Sequence, residues 1–262
     1  MIPKVIHYCW FGNNPLPPLA VKCIASWKKY LPDYEIKRWD ESNFDVNLIP
    51  YTEEAYKAGK YAFVSDYARF WVLYREGGLY FDTDVEVIKP LDDIVKRGPF
   101  LGCEQPANPE MAPDAPGKGL WCAPGLGMGA TPGLAFYKEM IDIYEKLRFE
   151  NNVGGKKILT VVNYTTNYLC ERGMLNSPDI QEIDGIFIYP NDYFCPVHPV
   201  TKRMHITKNT RTIHHYAASW MEIGTKEKVK KAIRSLIPEF ALLWFNKLKK
   251  RASKPSINNP ST

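Results

Sequence analysis

What this chain lacks narrows its chemistry before any motif is considered. Its six cysteines (Cys9, Cys23, Cys103, Cys122, Cys170 and Cys195) never fall at the close spacing of a zinc or iron–sulfur ligand set. In a chain of 262 residues they read as reduced, mostly buried thiols of a cytosolic protein. The N-terminus carries one early lysine and no sustained apolar segment. Neither a secretory signal nor a membrane anchor is therefore expected, and the expected location is the cytoplasm. Strong charge of one sign is missing too: 34 Lys+Arg against 29 Asp+Glu leave +5, much of it after residue 200. That is too weak for a nucleic-acid footprint and suits a basic tail touching an anionic surface. The glycine run Gly125-Leu126-Gly127-Met128-Gly129 lacks both the Walker lysine and the dinucleotide-binding spacing, so it is no phosphate-cradling loop.

What is present centres on Gly77-Gly78-Leu79-Tyr80-Phe81-Asp82-Thr83-Asp84. A short apolar strand here reaches a turn and delivers two carboxylates, Asp82 and Asp84, to a sheet edge. Two hard oxygen donors at that spacing can hold Mg²⁺ or Mn²⁺. The competing reading is a turn whose short acidic side chains cap their own backbone. A helix-loop-helix calcium site is ruled out because Val87 stands where glycine is needed. Upstream, residues 62–76 read as a largely buried helix stopped by Gly77-Gly78. Asp66 and Arg69 lie three apart on one face of it, either as a structural ion pair or aimed at the same polar cavity as the carboxylates.

Together with Pro3-Lys4-Val5-Ile6-His7-Tyr8-Cys9-Trp10-Phe11-Gly12, the motif Ser65-Asp66-x-x-Arg69 and the Asp82-Thr83-Asp84 run resemble the family-32 glycosyltransferases. These are sugar transferases with a DXD motif, active in capsule and polysaccharide synthesis and in mannosyl transfer, and distantly similar to the clostridial glucosylating toxins. The resemblance extends over Ala130-Thr131-Pro132-Gly133, Tyr189-Pro190 and His214-His215-Tyr216-Ala217-Ala218-Ser219-Trp220, so it spans roughly residues 1 to 220. It implies a GT-A-like α/β fold with a mostly parallel nucleotide-binding sheet flanked by helices. It also implies a metal-dependent retaining transfer of a hexose from a nucleotide sugar, a UDP-sugar foremost. The acceptor would be a glycan or lipid-linked saccharide in bacterial surface polysaccharide synthesis. Asp82, Asp84, Asp66 and Arg69 would form the catalytic set. Trp10 would stack on the base, Asp66 and Arg69 would hold sugar hydroxyls, Tyr80 would line the donor pocket, and Ser219 and Trp220 would close over the phosphates. The metal would rest on Asp82, Asp84 and one histidine of the 214–215 pair, with His215 chosen from its spacing to Trp220. A metal-dependent phosphohydrolase and a non-catalytic nucleotide-sugar-binding protein remain the alternatives from other classes.

Along the chain, residues 5–11 read as a first strand, 19–30 as a helix and 34–39 as a second strand ending at Asp40, which either reaches a ribose or caps the next segment. His7 reads as a satisfied strand histidine. Residues 85–88, 100–103 and 186–189 read as further strands, and 131–145 and 158–171 as helices. The segment 104–119 holds four prolines and two glycines and is either a lid or acceptor wall or a plain surface loop. The glycine run reads as a strand and turn where an acceptor backbone or sugar comes close. From Lys226 the chain carries a basic amphipathic pattern with Phe240 and Trp244, fit for a membrane interface or for packing on its own core. The expected division is a transferase domain over 1–222, the basic helical segment over 223–252 and a disordered tail over 253–262.

Overall fold

The computed structural model describes residues 1–105, 120–149, 159–198, 200–217 and 237–252, the last four through their backbone alone. In chain order its elements are β1 (Val5–Cys9), α1 (Pro18–Tyr30), β2 (Glu35–Trp39), α2 (Pro50–Lys57), α3 (Tyr61–Glu76), β3 (Gly78–Tyr80), β4 (Val85–Val87), α4 (Asp92–Arg97), β5 (Phe100–Glu104), β6 (Trp121–Cys122), β7 (Met128–Ala130), α5 (Ala135–Glu145), α6 (Val161–Glu171), β8 (Gln181–Ile183), β9 (Ile186–Tyr189), α7 (Asn191–Phe194), β10 (Thr212–His214) and α8 (Glu239–Ala252). The main sheet runs β2-β1-β3-β7-β5-β9-β8, with β6 added beside β5. β1 pairs in parallel with β2 and β3, and β5 with β9, while β7 is antiparallel to both β3 and β5. Five strands, β1, β2, β3, β5 and β9, thus share one direction. This is the expected α/β class, a mostly parallel sheet flanked by helices.

Strand alternation explains the two-sided core. In β1, Ile6 and Tyr8 face α1 with Trp27, Leu79 and Phe81, whereas Cys9 faces α3 and α5 with Tyr67, Phe70 and Tyr137. Six aromatic rings, Phe70, Phe136, Tyr137, Tyr144, Tyr51 and Tyr67, meet between α2, α3 and α5, half of these contacts edge to face and half tilted, and the edge-to-face ones have the geometry that ring quadrupoles favour. α3 is sealed at its end by Gly77, whose N–H donates to the Leu73 carbonyl at 3.0 Å with φ of +67°. Gly78 follows at φ +90°, and a Cβ there would lie 2.7 Å from the Val5 carbonyl. This sharp exit swings the chain into β3 directly beside β1.

His7 is fully buried. Trp39 Nε1–H donates to its Nδ1 and its Nε2–H donates to the Gly77 carbonyl, both at 3.0 Å. Burial drives its pKa down to about 4. It is a structural histidine, as its strand position suggested. The helix expected from Thr131 begins at Ala135 instead, because Thr131-Pro132-Gly133 turn first and Gly133 takes φ +74°. Residues 106–119 and 218–236, with Ser219 and Trp220, and the tail 253–262 lie outside the described residues.

Candidate functional site

The order of the strands places the site. From β1 the chain steps to β2 on one side, then crosses by α2 and α3 to β3 on the other. In open α/β sheets, ligands bind in the crevice outside the carboxyl ends of strands where the winding reverses. At this β1/β3 reversal the carboxyl ends deliver Trp10 and, one residue beyond Phe81, Asp82. β5 carries Glu104 to the same edge.

Asp82 is aimed by three elements. Tyr80 donates its hydroxyl to Asp82 Oδ1 at 3.0 Å, and an Arg69 guanidinium nitrogen stands 3.4 Å from the same oxygen. The third element is Gly125, whose carbonyl accepts the Asp82 N–H at 3.0 Å. A Cβ at position 125 would fall 2.0 Å from Asp82 Oδ2. The glycine run therefore does have a close approach, made by this carboxylate.

Arg69 is almost wholly buried on α3. It donates Nε–H to the Ser65 carbonyl, pairs with Asp66 at 2.9 Å and lies 5.1 Å over the Tyr80 ring. Burial works against its charge, but Asp82, Tyr80 and Asp66 around it raise its pKa, so it stays cationic. Burial lifts the Asp66 carboxyl to about 6, with Arg69 pulling the other way. The Asp66–Arg69 pair thus points to the Asp82 carboxylate, one residue pair holding one wall of the site. Tyr80 is buried and reaches the site through its hydroxyl, not as an exposed wall of a pocket.

Asp84 belongs to a different clamp. The turn is closed by the Val85 N–H on the Asp82 carbonyl at 3.0 Å, and β4 then pairs antiparallel with β10. That register sets His214 opposite Val85, where its Nε2 lies 3.1 Å from Asp84 Oδ1. The Ala217 N–H donates to Asp84 Oδ2 at 2.8 Å, and the His215 N–H to the Asp84 carbonyl at 3.0 Å. Burial opposes ionisation of Asp84, yet the bonds from His214 and Ala217 hold its pKa below the usual carboxylate range.

His215, the histidine chosen as third ligand, does not face Asp84. Its ring turns to Glu86, Nε2 to Oε2 at 2.8 Å, and Lys22 holds the same oxygen at 2.9 Å. The side chains of His214 and His215 leave the strand end in different directions, and the register gives Asp84 to His214.

Trp10 follows β1 half-buried, with its indole N–H on the Asn14 carbonyl at 2.7 Å. Asp40 caps its own turn, accepting the Ser42 N–H at 2.9 Å and hydroxyl at 2.6 Å, with Arg38 at 2.8 Å. Of the two readings open for it, the turn cap is what the structure shows. Gly125, the Ala217 N–H and Tyr216 are contributors that sequence reasoning did not assign. Tyr216 sets its ring 4.2 Å from that of His214 at a tilt of 51°, gives its hydroxyl to Glu104, and holds a non-glycine φ of +50°.

Among the described residues, no three His, Cys, Asp or Glu side chains converge as a protein-only metal cage. The donor set nevertheless fits a hard divalent ion. Asp82 and Asp84 offer partly accessible carboxylate oxygens, and the buried His214 Nδ1 has no hydrogen-bond partner. Mg²⁺ is commonly held by one or two carboxylates plus substrate phosphates, with no all-protein cage.

Residues 17–101 match the family model described as a glycosyltransferase sugar-binding region containing a DXD motif. The chain is similar to inositol phosphoceramide mannosyltransferase 3 of Schizosaccharomyces pombe, 35% identical over 98 residues, covering 36% of this chain and 27% of that protein. It is 28% identical over 111 residues to inositol phosphoceramide mannosyltransferase 1 of the same yeast, covering 38% of this chain and 33% of the relative. An uncharacterised glycosyltransferase L373 of Acanthamoeba polyphaga mimivirus is 33% identical over 107 residues, 38% of this chain and 43% of that one. The chain thus spans less than half the length of each of these relatives. Among solved structures, a PaToxG glycosyltransferase superposes with a TM-score of 0.47 at 20% identity, over 65% of this chain and 69% of that chain.

Proposed function

We propose that this chain is a metal-dependent, retaining hexosyltransferase that takes a nucleotide sugar, a UDP-sugar foremost, and passes the hexose to a hydroxyl of a glycan or lipid-linked saccharide. Bacterial surface polysaccharide assembly at the inner face of the membrane is the setting that the resemblance favours. One observation carries the reading: Asp82 and Asp84, one residue apart on the turn that follows β3, are each held by their own set of donors.

Asp82 and Asp84 would hold Mg²⁺ or Mn²⁺, with His214 aligned on Asp84, and the ion supplies charge neutralisation for the departing diphosphate. The protein's own groups do the rest. His214 and the Ala217 N–H keep Asp84 ionised, and Tyr80 and Arg69 fix the direction of Asp82. Asp66 and the permanently charged Arg69 would receive sugar hydroxyls, and Trp10 would offer its ring to the base.

A lipid-linked acceptor is supported by α8. Phe240, Trp244 and Phe245 on it are 75%, 57% and 51% exposed, and the helix runs into Lys249-Lys250-Arg251. An aromatic, basic helix of this kind can lie in an anionic membrane interface. The names of the two yeast relatives also imply a lipid-borne acceptor for those proteins.

The test is a panel of nucleotide sugars, mannosyl donors included, offered with Mn²⁺ to wild type and Asp84→Ala. Thermal stabilisation and nucleoside diphosphate release are read for each. Stabilisation by one donor that needs the metal and vanishes in Asp84→Ala is the expected result. If no donor shifts Tm and Asp84→Ala behaves as wild type, the carboxylates are only a turn and the reading fails.

A further inference from the structure

The antiparallel register of β5 with β6 sets Cys103 directly opposite Cys122. The Ala123 N–H donates to the Gly102 carbonyl at 3.1 Å, while the Cys122 N–H turns to Thr166 Oγ1 at 3.1 Å. The cysteines therefore form a non-hydrogen-bonded pair, the kind whose α-carbons approach to about 4.5 Å. Disulfides span α-carbons from about 4.4 to 6.8 Å. Both side chains leave the same face of the sheet, both are fully buried, and their Sγ atoms are in contact at 3.0 Å. Met174 Sδ lies 3.5 Å from Cys122 Sγ, and both cysteines belong to the hydrophobic core cluster. Such a wall stabilises a neutral disulfide at least as well as two thiols.

We propose that Cys103 and Cys122 are an oxidation-sensitive pair that closes to a disulfide within the folded protein, tying together the two strands from which residues 105–120 depart. The closure needs no change of register. Its electrons go to a small-molecule disulfide such as oxidised glutathione. Because both sulfurs are fully buried, local opening or refolding first exposes one cysteine, whose thiolate attacks a sulfur of the oxidant, forming a mixed disulfide and releasing one small thiol. The second cysteine then attacks the mixed bond and releases the other, and the two cysteine protons end on the released thiols. Burial holds the Cys103 thiol well above its ordinary range, so closure accelerates as pH rises. Glu104, next in the chain, accepts the Tyr216 hydroxyl, and the Tyr216 ring lies against His214. The bond would thus stiffen the strand end beneath the candidate site.

The experiment incubates the full chain with oxidised glutathione at pH 8.5, and in parallel refolds it from denaturant in the same redox buffer. Thiols are then counted under denaturing conditions, and non-reduced peptides are mapped by mass spectrometry. The expected outcome is four of the six thiols reactive, a peptide linking Cys103 to Cys122 with the mass of two hydrogens lost, and a rise in Tm of up to about 10 °C for a loop of this length. Cys122→Ser should keep its fold, show five reactive thiols with and without oxidant, and lack the Tm rise. If both treatments leave all six thiols reactive, or if the linkage joins other cysteines, the proposal is overturned.

Discussion

Gly125→Ala probes the site selectively, because it adds one methyl group against Asp82, with Arg69 Nη1 next at 3.3 Å. The new Cβ would stand 2.0 Å from Asp82 Oδ2 and 2.8 Å from its Cγ. Gly125 does not have a positive φ, so the backbone tolerates alanine and the carboxylate must give way. Asp82 has room to rotate, since its side chain is 31% exposed. In rotating it leaves Tyr80, at 3.0 Å, and Arg69, at 3.4 Å. Arg69 keeps Asp66, but the buried Tyr80 hydroxyl loses its acceptor, a loss of about 1–3 kcal/mol. Tm should fall by roughly 3–10 °C with the fold intact. Displacing a binding carboxylate by about 1 Å lowers kcat/KM roughly 100-fold. The decisive assay is a double-mutant cycle with Asp82→Ala, read both by urea unfolding and by nucleoside diphosphate release. With no carboxylate present, Gly125→Ala should be close to neutral, so the two substitutions couple strongly. Near-wild-type turnover in Gly125→Ala, or an equal loss in both backgrounds, would refute the geometry.

Acid stability should show two opposing arms. His7 has its folded pKa depressed to about 4 from 6.5, so its contribution of about 3 kcal/mol is present above pH 6.5 and is lost as pH falls through 4. Asp66 has its folded pKa raised to about 6 from 3.8, so its similar contribution is present below pH 3.8 and is lost as pH rises through 6. Asp66→Asn should remove the second arm and expose a steeper acid loss between pH 6.5 and 4 in urea titrations; an unchanged profile would contradict the assignment. His214→Asn should weaken metal-supported donor binding by about 10–100-fold, whereas His215→Asn, which leaves Glu86 paired with Lys22, should change it little; the reverse ranking in Mn²⁺-dependent thermal shifts would restore His215. Phe240→Ser with Trp244→Ser should abolish co-sedimentation with anionic vesicles while leaving donor turnover in solution unchanged. Equal pelleting of wild type and variant would remove α8 as a membrane contact.

Local signals were legible wherever a few consecutive residues decide the outcome. Gly77-Gly78 announced the end of α3, the Asp66 and Arg69 spacing announced a shared face, an apolar, β-branched and aromatic run closed by a glycine–proline loop marked β1, and alternation marked β2. What escaped depends on which distant strands become neighbours. Gly125 meets Asp82 because β3 and β7 pair, with Tyr80 opposite Met128, a fact of sheet order that no local pattern records. The choice between His214 and His215 needed the β4–β10 register. The Ala217 N–H carries no side-chain signal at all, since any residue there but proline would supply it. The short β6 and β8 have too few residues to show a period.

The two aspartates stand one residue apart in the chain, yet the fold assigns them to different neighbourhoods. Asp82 is held by α3 and by the loop entering β7, through Arg69, Tyr80 and Gly125, whereas Asp84 is held by residues 214–217, some 130 positions later. The turn between them joins these two sets of contacts, and an ion shared by both carboxylates would tie them together. The family match ends at residue 101 and therefore holds both carboxylates but neither Gly125 nor the 214–217 clamp. Without the clamp, Asp84 loses the two bonds that offset its burial. Truncation before β10 should consequently raise the Asp84 pKa and weaken the proposed metal site even if the sheet survives. The proposed ion site thus takes its carboxylates from the DXD turn, and the distant clamp holds one of them in place.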